Sequence, residues 1–139
     1  MPQFTKLTPN LIVSSVERSL SFYVDVLGFA RGMTVPDQPP FVFASVTSGP
    51  VEIFFNDTAA VLKDHPDWAT KAKPSAGNSM FIEIGGGRSD AVQVDALHDR
   101  IKSNVRVIMP LTTQFYGMRE FAIEDPDGYV ITFAERVKV

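Results

Sequence analysis

The sequence predicts an α+β fold made of two similar halves, each running strand, helix, strand, strand, strand. Three observations lead there. Near the start of the chain a helix is marked by capping residues at both ends. Short runs rich in aromatic and β-branched residues follow it, separated by turns rich in Pro and Gly. The same order of elements then recurs: it starts near Thr8 and again near Ser79, about half a chain later. Neither half can easily bury both faces of a small sheet alone, so the halves are expected to pair.

Leu11-Ile12-Val13 is a short β-prone run. Ser14 and Glu17 after it form a capping-box pattern, in which each side chain satisfies a backbone donor of the first helical turn. Val16, Leu20, Tyr23 and Leu27 fall at helical spacing, and Gly28 stands where a left-handed cap is wanted. Strands are expected over Phe29 to Val35, Phe41 to Val46 and Val51 to Asn56, with Phe41 and Phe43 alternating on one face. This first module spans about residues 5–56. Residues 57–78 read as a polar connector with a helical piece around Ala59 to Leu62. The second module, about residues 79–137, opens with a strand from Ser79 to Ile84 and a turn at Gly85-Gly86-Gly87. Ala91, Val94, Leu97 and Ile101 repeat at helical spacing, with Ser89 or Asp90 as the cap. Val105 to Met109 is a strand expected to stop at Pro110. Arg119 to Glu124 and Val130 to Glu135 are strands joined by Asp125-Pro126-Asp127-Gly128, which suits a type I turn. Residues 1–139 are thus read as one domain of two modules.

Composition narrows the function. The formal net charge is −3, which is no footprint for nucleic acid or an anionic membrane surface. With no cysteine, disulfides, thiolate catalysis and thiolate metal sites are excluded. No run is apolar for long enough to span a bilayer, and Met1 to Lys6 lacks the pattern of a signal peptide. The expectation is a cytoplasmic protein. No Ser-His-Asp arrangement stands out, and the three glycines lack the fuller fingerprint of a phosphate site.

Three stretches carry a resemblance. They are Val13 to Phe29, with its Phe22-Tyr23 pair and Leu27-Gly28-Phe29 ending; Tyr116-Gly117-Met118-Arg119-Glu120-Phe121; and Asp125-Pro126-Asp127-Gly128-Tyr129 followed by a β run. In order, within a duplicated chain, they resemble the glyoxalase/bleomycin-resistance/dioxygenase (vicinal oxygen chelate) superfamily, and in particular its bleomycin-resistance branch. The resemblance implies two βαβββ modules forming a curved mixed sheet around a cleft, with the helices outside. It also implies a homodimer.

Enzymes of this superfamily hold a divalent metal through His, Gln or Glu from the first and last strand of each module. By that resemblance the matching positions here are Thr8, Phe54, Ser79 and Thr132. None of the four is a competent ligand for a divalent ion. A shift of one residue would bring in Glu52 or Glu83 but would also turn the side chain to the other face of the strand. The two histidines read as a helix residue, His98, and a solvated loop residue, His65. The expectation is therefore a cleft with no metal and no cofactor.

Such a cleft should be aromatic, with a few polar groups that orient the ligand. Phe43, Phe54, Trp68, Phe115, Tyr116 and Arg119 are the candidates, beside Thr8, Ser79 and Thr132. Phe43 reads equally as core, and Trp68 equally as packing of the connector. Arg119 is either a clamp on an anionic or carbonyl group, or the partner of Glu120, Glu124 or another carboxylate. Asp125 and Asp127 read as builders of the turn. The leading expectation is a metal-free protein that binds a small hydrophobic or aromatic molecule, including sequestration of an antibiotic. The alternative is a metal-dependent lyase, isomerase or dioxygenase with an unrecognised metal site. A third reading, a structural or regulatory partner domain, requires an exposed apolar patch.

Overall fold

The computed structural model describes residues 1–74, 77–85 and 92–137. They form two compact units, Met1–Lys73 and Pro74–Val139. The first contains β1 (Asn10–Val13), α1 (Val16–Ser21) continued by a π-helical stretch at Phe22–Val26, β2 (Ala30–Val35), β3 (Phe43–Ser48) and β4 (Val51–Asp57). Two short helices close it, α2 (Thr58–Asp64) and α3 (Pro66–Lys71), both within the expected connector. The second contains β5 (Met80–Ile84), α4 (Gln93–Ile101), β6 (Arg106–Thr113), β7 (Met118–Glu124) and β8 (Val130–Arg136).

The two sheets share one topology. Their strand orders are β1-β4-β3-β2 and β5-β8-β7-β6. In each the first strand runs parallel to the last, and the remaining pairs are antiparallel. The repeated βαβββ order read from the sequence is therefore present as two four-stranded mixed sheets. Among the described residues no helix is long and apolar enough to cross a membrane.

Each sheet gives one face to its helix. In the first unit Tyr23 is fully buried and meets Phe55 with ring centroids 4.8 Å apart. Val16, Leu20, Val46 and Ile53 fill the same layer. In the second, Phe121 lies edge-to-face with His98 of α4 at 5.0 Å and against Phe133 at 5.5 Å, with Val94, Ile101, Ile123 and Ile131 around them. His98 is thus a half-buried packing residue of the helix, as its position suggested.

Local details depart from the sequence reading in instructive ways. The α1 cap is Ser15 rather than Ser14: the Ser15 Oγ accepts from the Arg18 N–H at 3.2 Å, whereas the Ser14 Oγ accepts from the Arg18 guanidinium. Glu17 does not close a capping box, because its Oε1 accepts from the Phe41 N–H, 24 residues away. That backbone bond, the largest cause, holds the Glu17 carboxyl below its ordinary pKa. Phe41 itself precedes β3 and is buried beneath the Arg31 guanidinium, so it does not alternate with Phe43 on a strand. Gly28 does end the helix, at φ +86°, with the Phe29 N–H returning to the Tyr23 carbonyl.

Pro110 does not stop β6, which continues to Thr113. β6 is the edge of its sheet, and its register with β7 slips on both sides of Met109. A residue without an N–H is tolerated at such an irregular edge. The proposed α4 caps, Ser89 and Asp90, lie outside the described residues. Val92 occupies the cap position and gives no side-chain bond; instead the Glu135 Oε1 of β8 accepts from the Val94 N–H at 3.0 Å. The Asp125–Gly128 turn forms as expected. The Gly128 N–H reaches the Asp125 carbonyl at 3.0 Å, and the Asp125 Oδ1 accepts from the Asp127 and Tyr129 N–H groups.

Phe55 joins the first sheet to α1, so Phe55→Ala should destabilise the protein by about 3–5 kcal/mol, the usual loss for a fully buried aromatic. Urea unfolding followed by circular dichroism measures this. A loss below about 1 kcal/mol would show that the Tyr23–Phe55 contact is not what holds the helix.

Candidate functional site

Successive side chains on a strand point to opposite faces, so the helix-facing residues fix what lies on the other side. In the first unit Ile53 and Phe55 face α1, and Phe54 between them projects from the opposite face. There the Phe54 ring meets Phe43 at 5.2 Å, tilted by 60°. Both are half-buried. Ser45 pairs with Phe54 on the adjoining strand, and its Oγ accepts from the Met33 N–H at 2.9 Å. A side chain at Gly32 would collide with that hydroxyl. Asn56 donates to Asn10 Oδ1 at 2.6 Å, and Lys6 forms an ion pair with Glu52 along the same face. Thr8 lies two residues before β1 and is half-buried. The helix-distal face of the first sheet is therefore an aromatic pair bordered by short polar side chains whose hydrogen bonds are mostly made.

Trp68 sits in α3, half-buried, and its ring contact is with His65 at 6.4 Å. Among the described residues its ring does not join the Phe43–Phe54 pair. A hollow of about 110 Å³ lined by Leu20, Ser21, Val24, Asp25 and Arg31 lies against α1 and β2. It is well below the roughly 300–1,000 Å³ that drug-sized ligands occupy.

In the second unit Thr132 pairs with Phe81 on one side and Ala122 on the other, all on the face away from α4. Ser79 is exposed just before β5, in line with Phe81, which is itself 54% exposed. Phe115 and Tyr116 occupy the β6–β7 turn, which closes through the Gly117 N–H to the Gln114 carbonyl with Gly117 at φ +85°. Their rings meet edge-to-face at 5.1 Å, and Phe115 is 92% exposed. The Tyr116 hydroxyl donates to Glu120 Oε1 at 2.7 Å. This bond, the largest cause, raises the Tyr116 pKa above its ordinary value of 10.0.

Of the two readings of Arg119, the structure has the partner of another carboxylate and not the clamp in the cleft. Arg119 has the same strand parity as Phe121, so it faces the helix. There its Nε and Nη2 donate to both carboxylate oxygens of Asp95 in α4, at 2.6 and 3.2 Å, and Nη1 donates to Thr113. The guanidinium docks the helix and its pKa is raised by that partner. Sequence reasoning also overlooked Phe81 and undervalued Glu120, which the alternation around Phe121 assigns to the helix-distal face.

The model of the Glyoxalase/Bleomycin resistance protein/Dioxygenase superfamily matches residues 5–133. The chain belongs to this superfamily. It is 26% identical to bleomycin resistance proteins of Geobacillus stearothermophilus and Staphylococcus aureus, over 94% of this chain and 96% of theirs. A superfamily structure from Nocardioides has a TM-score of 0.76 at 18% identity, covering 99% of this chain and 87% of that one. The bleomycin-binding protein of Streptomyces verticillus, solved with copper(II)-bleomycin, has a TM-score of 0.58 at 25% identity over the whole of both chains.

The metal that superfamily enzymes carry does not fit the residues present. Two of the four corresponding positions are hydroxyls on half-buried Thr8 and Thr132, one is exposed Ser79, and the fourth is an aromatic ring. Among the described residues no three His, Asp or Glu side chains gather closely enough to hold an ion. Glu52, the nearest acid on β4, is engaged by Lys6.

Two outcomes are expected. Arg119→Ala should lower stability by at most about 1 kcal/mol, because the Asp95 pair is partly solvated. It should leave ligand affinity unchanged, and a large loss of affinity in a titration would place the guanidinium at the ligand after all. A tyrosinate absorbance titration should show a component above the ordinary range that Tyr116→Phe removes. The sign follows from the raised pKa: the stabilisation from Tyr116 is complete below the ordinary value and is lost as pH climbs through the folded one.

Proposed function

We propose that this chain is a small-molecule binding protein of the bleomycin-resistance type, whose ligand lies against the helix-distal face of the first sheet without help from a resident metal. The observation that carries the reading is Phe54. At a position where, by the resemblance, superfamily enzymes place a metal ligand, it offers a half-buried ring tilted against Phe43. An aromatic surface binds planar or apolar molecules through area and ring contacts. The kinship to bleomycin resistance proteins over nearly the whole chain supports the same reading. So does the likeness to a protein whose structure holds copper(II)-bleomycin, where the metal named is part of the ligand complex. Stoichiometric binding that withholds an antibiotic from its target needs no reacting group, and no nucleophile–base pair is required of the site. The working form in this reading is a cytoplasmic homodimer.

Calorimetric titration with bleomycin, metal-free and copper-loaded, tests it. Wild type should bind at least one form with a Kd below about 1 mM, and Phe54→Ala should weaken it about tenfold or more while remaining folded. No binding to either form would overturn the bleomycin version. Near-stoichiometric metal in protein purified without chelator would overturn the metal-free site.

A further inference from the structure

On the helix side of the first unit, α1 passes into a π-helical turn, where the Leu27 N–H reaches back five residues to the Phe22 carbonyl at 3.1 Å. Such turns are rare, and they occur frequently at functional sites. Beside this one, against β2, lies the hollow of about 110 Å³. Residues four apart share a helix face, so Leu20 and Val24 give it an apolar wall and Ser21 and Asp25 a polar one. Arg31 of β2 adds a guanidinium. Ser21, Asp25 and Arg31 are all exposed, so the hollow is open to solvent.

Two opposite charges line this hollow without meeting. Asp25 and Arg31 form no ion pair with each other. Arg31 rests instead on a ring, its Cζ 5.1 Å from the centroid of Phe41. Phe41 is buried, and its N–H is held by the Glu17 carboxylate of α1. A chain of contacts from α1 through Phe41 thus preorganises the guanidinium, and its planar fork of donors is engaged by no carboxylate among the described residues. Arg31 pairs with Val46, a residue of the helix-facing layer, so the hollow lies on the side of the sheet opposite Phe43 and Phe54.

We propose that the hollow binds a small zwitterion, an α-amino acid with a short side chain. The ligand carboxylate takes the Arg31 guanidinium, the ammonium donates to Asp25 and the Ser21 hydroxyl, and the side chain lies on Leu20 and Val24. Volume sets the limit. At roughly 30 Å³ per water in the liquid, the hollow has room for about four waters, or for a molecule of about six non-hydrogen atoms such as alanine. A ligand carrying both charges forms a charge-assisted bond at each end, whereas a lone anion or cation leaves one protein charge unanswered. This site is separate from the ligand face proposed above and does not depend on it.

The test titrates the full chain, labelled with nitrogen-15, with L-alanine, propionate and ethylamine under NMR observation. Propionate lacks the ammonium of alanine and ethylamine lacks its carboxylate. L-Alanine should bind with a Kd of about 10 mM or tighter. Its shifts should centre on the amides of Ser21, Val24, Asp25 and Arg31, and it should bind about tenfold better than either one-charge analogue. Asp25→Asn should erase the advantage of alanine over propionate, and Arg31→Gln its advantage over ethylamine, while bleomycin binding is unchanged in both. No saturable shift with alanine, shifts centred elsewhere, equal binding of either analogue by wild type, or an advantage that survives its variant overturns the proposal. If a variant does not fold, the three titrations of wild type decide. None of these outcomes alters the reading of Phe54, which the bleomycin titration tests on its own.

Discussion

Each sheet meets its helix through a ring contact, Tyr23 on Phe55 in the first unit and His98 on Phe121 in the second. Because side chains alternate along a strand, these two contacts decide the facing of every other residue on their strands. Fixing Phe55 inward sends Phe54 outward to meet Phe43. Fixing Phe121 inward sends Glu120 and Ala122 outward beside Thr132, and brings Arg119 in to Asp95. The chemistry available to a ligand is in this sense a by-product of where the aromatic core was placed.

That dependence explains what could be read from the sequence and what could not. The duplicated order of elements was legible because each module carries its own punctuation: Gly28 ends α1, and Asp125 to Gly128 builds a turn from its own side chain and backbone. Phe54 was expected in the cleft only through its match to a ligand position of the superfamily; its alternation with buried Ile53 and Phe55 is what sends it to the helix-distal face. The same parity argument, applied to Phe121, sends Arg119 to the helix, where Asp95 is the other carboxylate that the sequence left open, and Glu120 to the opposite face. Pro110 misled for a different reason. A proline stops a strand only where its missing N–H is needed, and on the edge strand β6 it was not.

Long-range hydrogen bonds account for most of the remaining surprises. Two glutamates show the pattern. Glu17 accepts from a loop residue, Phe41, 24 residues away, and Glu135 of β8 caps α4 from 41 residues away. Both satisfy backbone donors from a distance that no short sequence window spans. Such bonds couple elements that a capping-box or spacing argument treats as separate. They also explain why Ser14-Ser15-Val16-Glu17 reads as a capping box centred on Ser14: the Glu17 carboxylate is drawn to Phe41, and Ser15 gives the side-chain cap to the Arg18 N–H.

Glu120 stands apart from these two because its Oε2 has no hydrogen-bond partner. A protein can remove an unpaired buried carboxylate by substituting an apolar residue of similar volume, often at no loss of stability. Here the strand around it is apolar, with Met118, Phe121, Ala122 and Ile123 all buried, so an apolar side chain would suit the packing. Tyr116 helps to hold the carboxylate but satisfies only one oxygen.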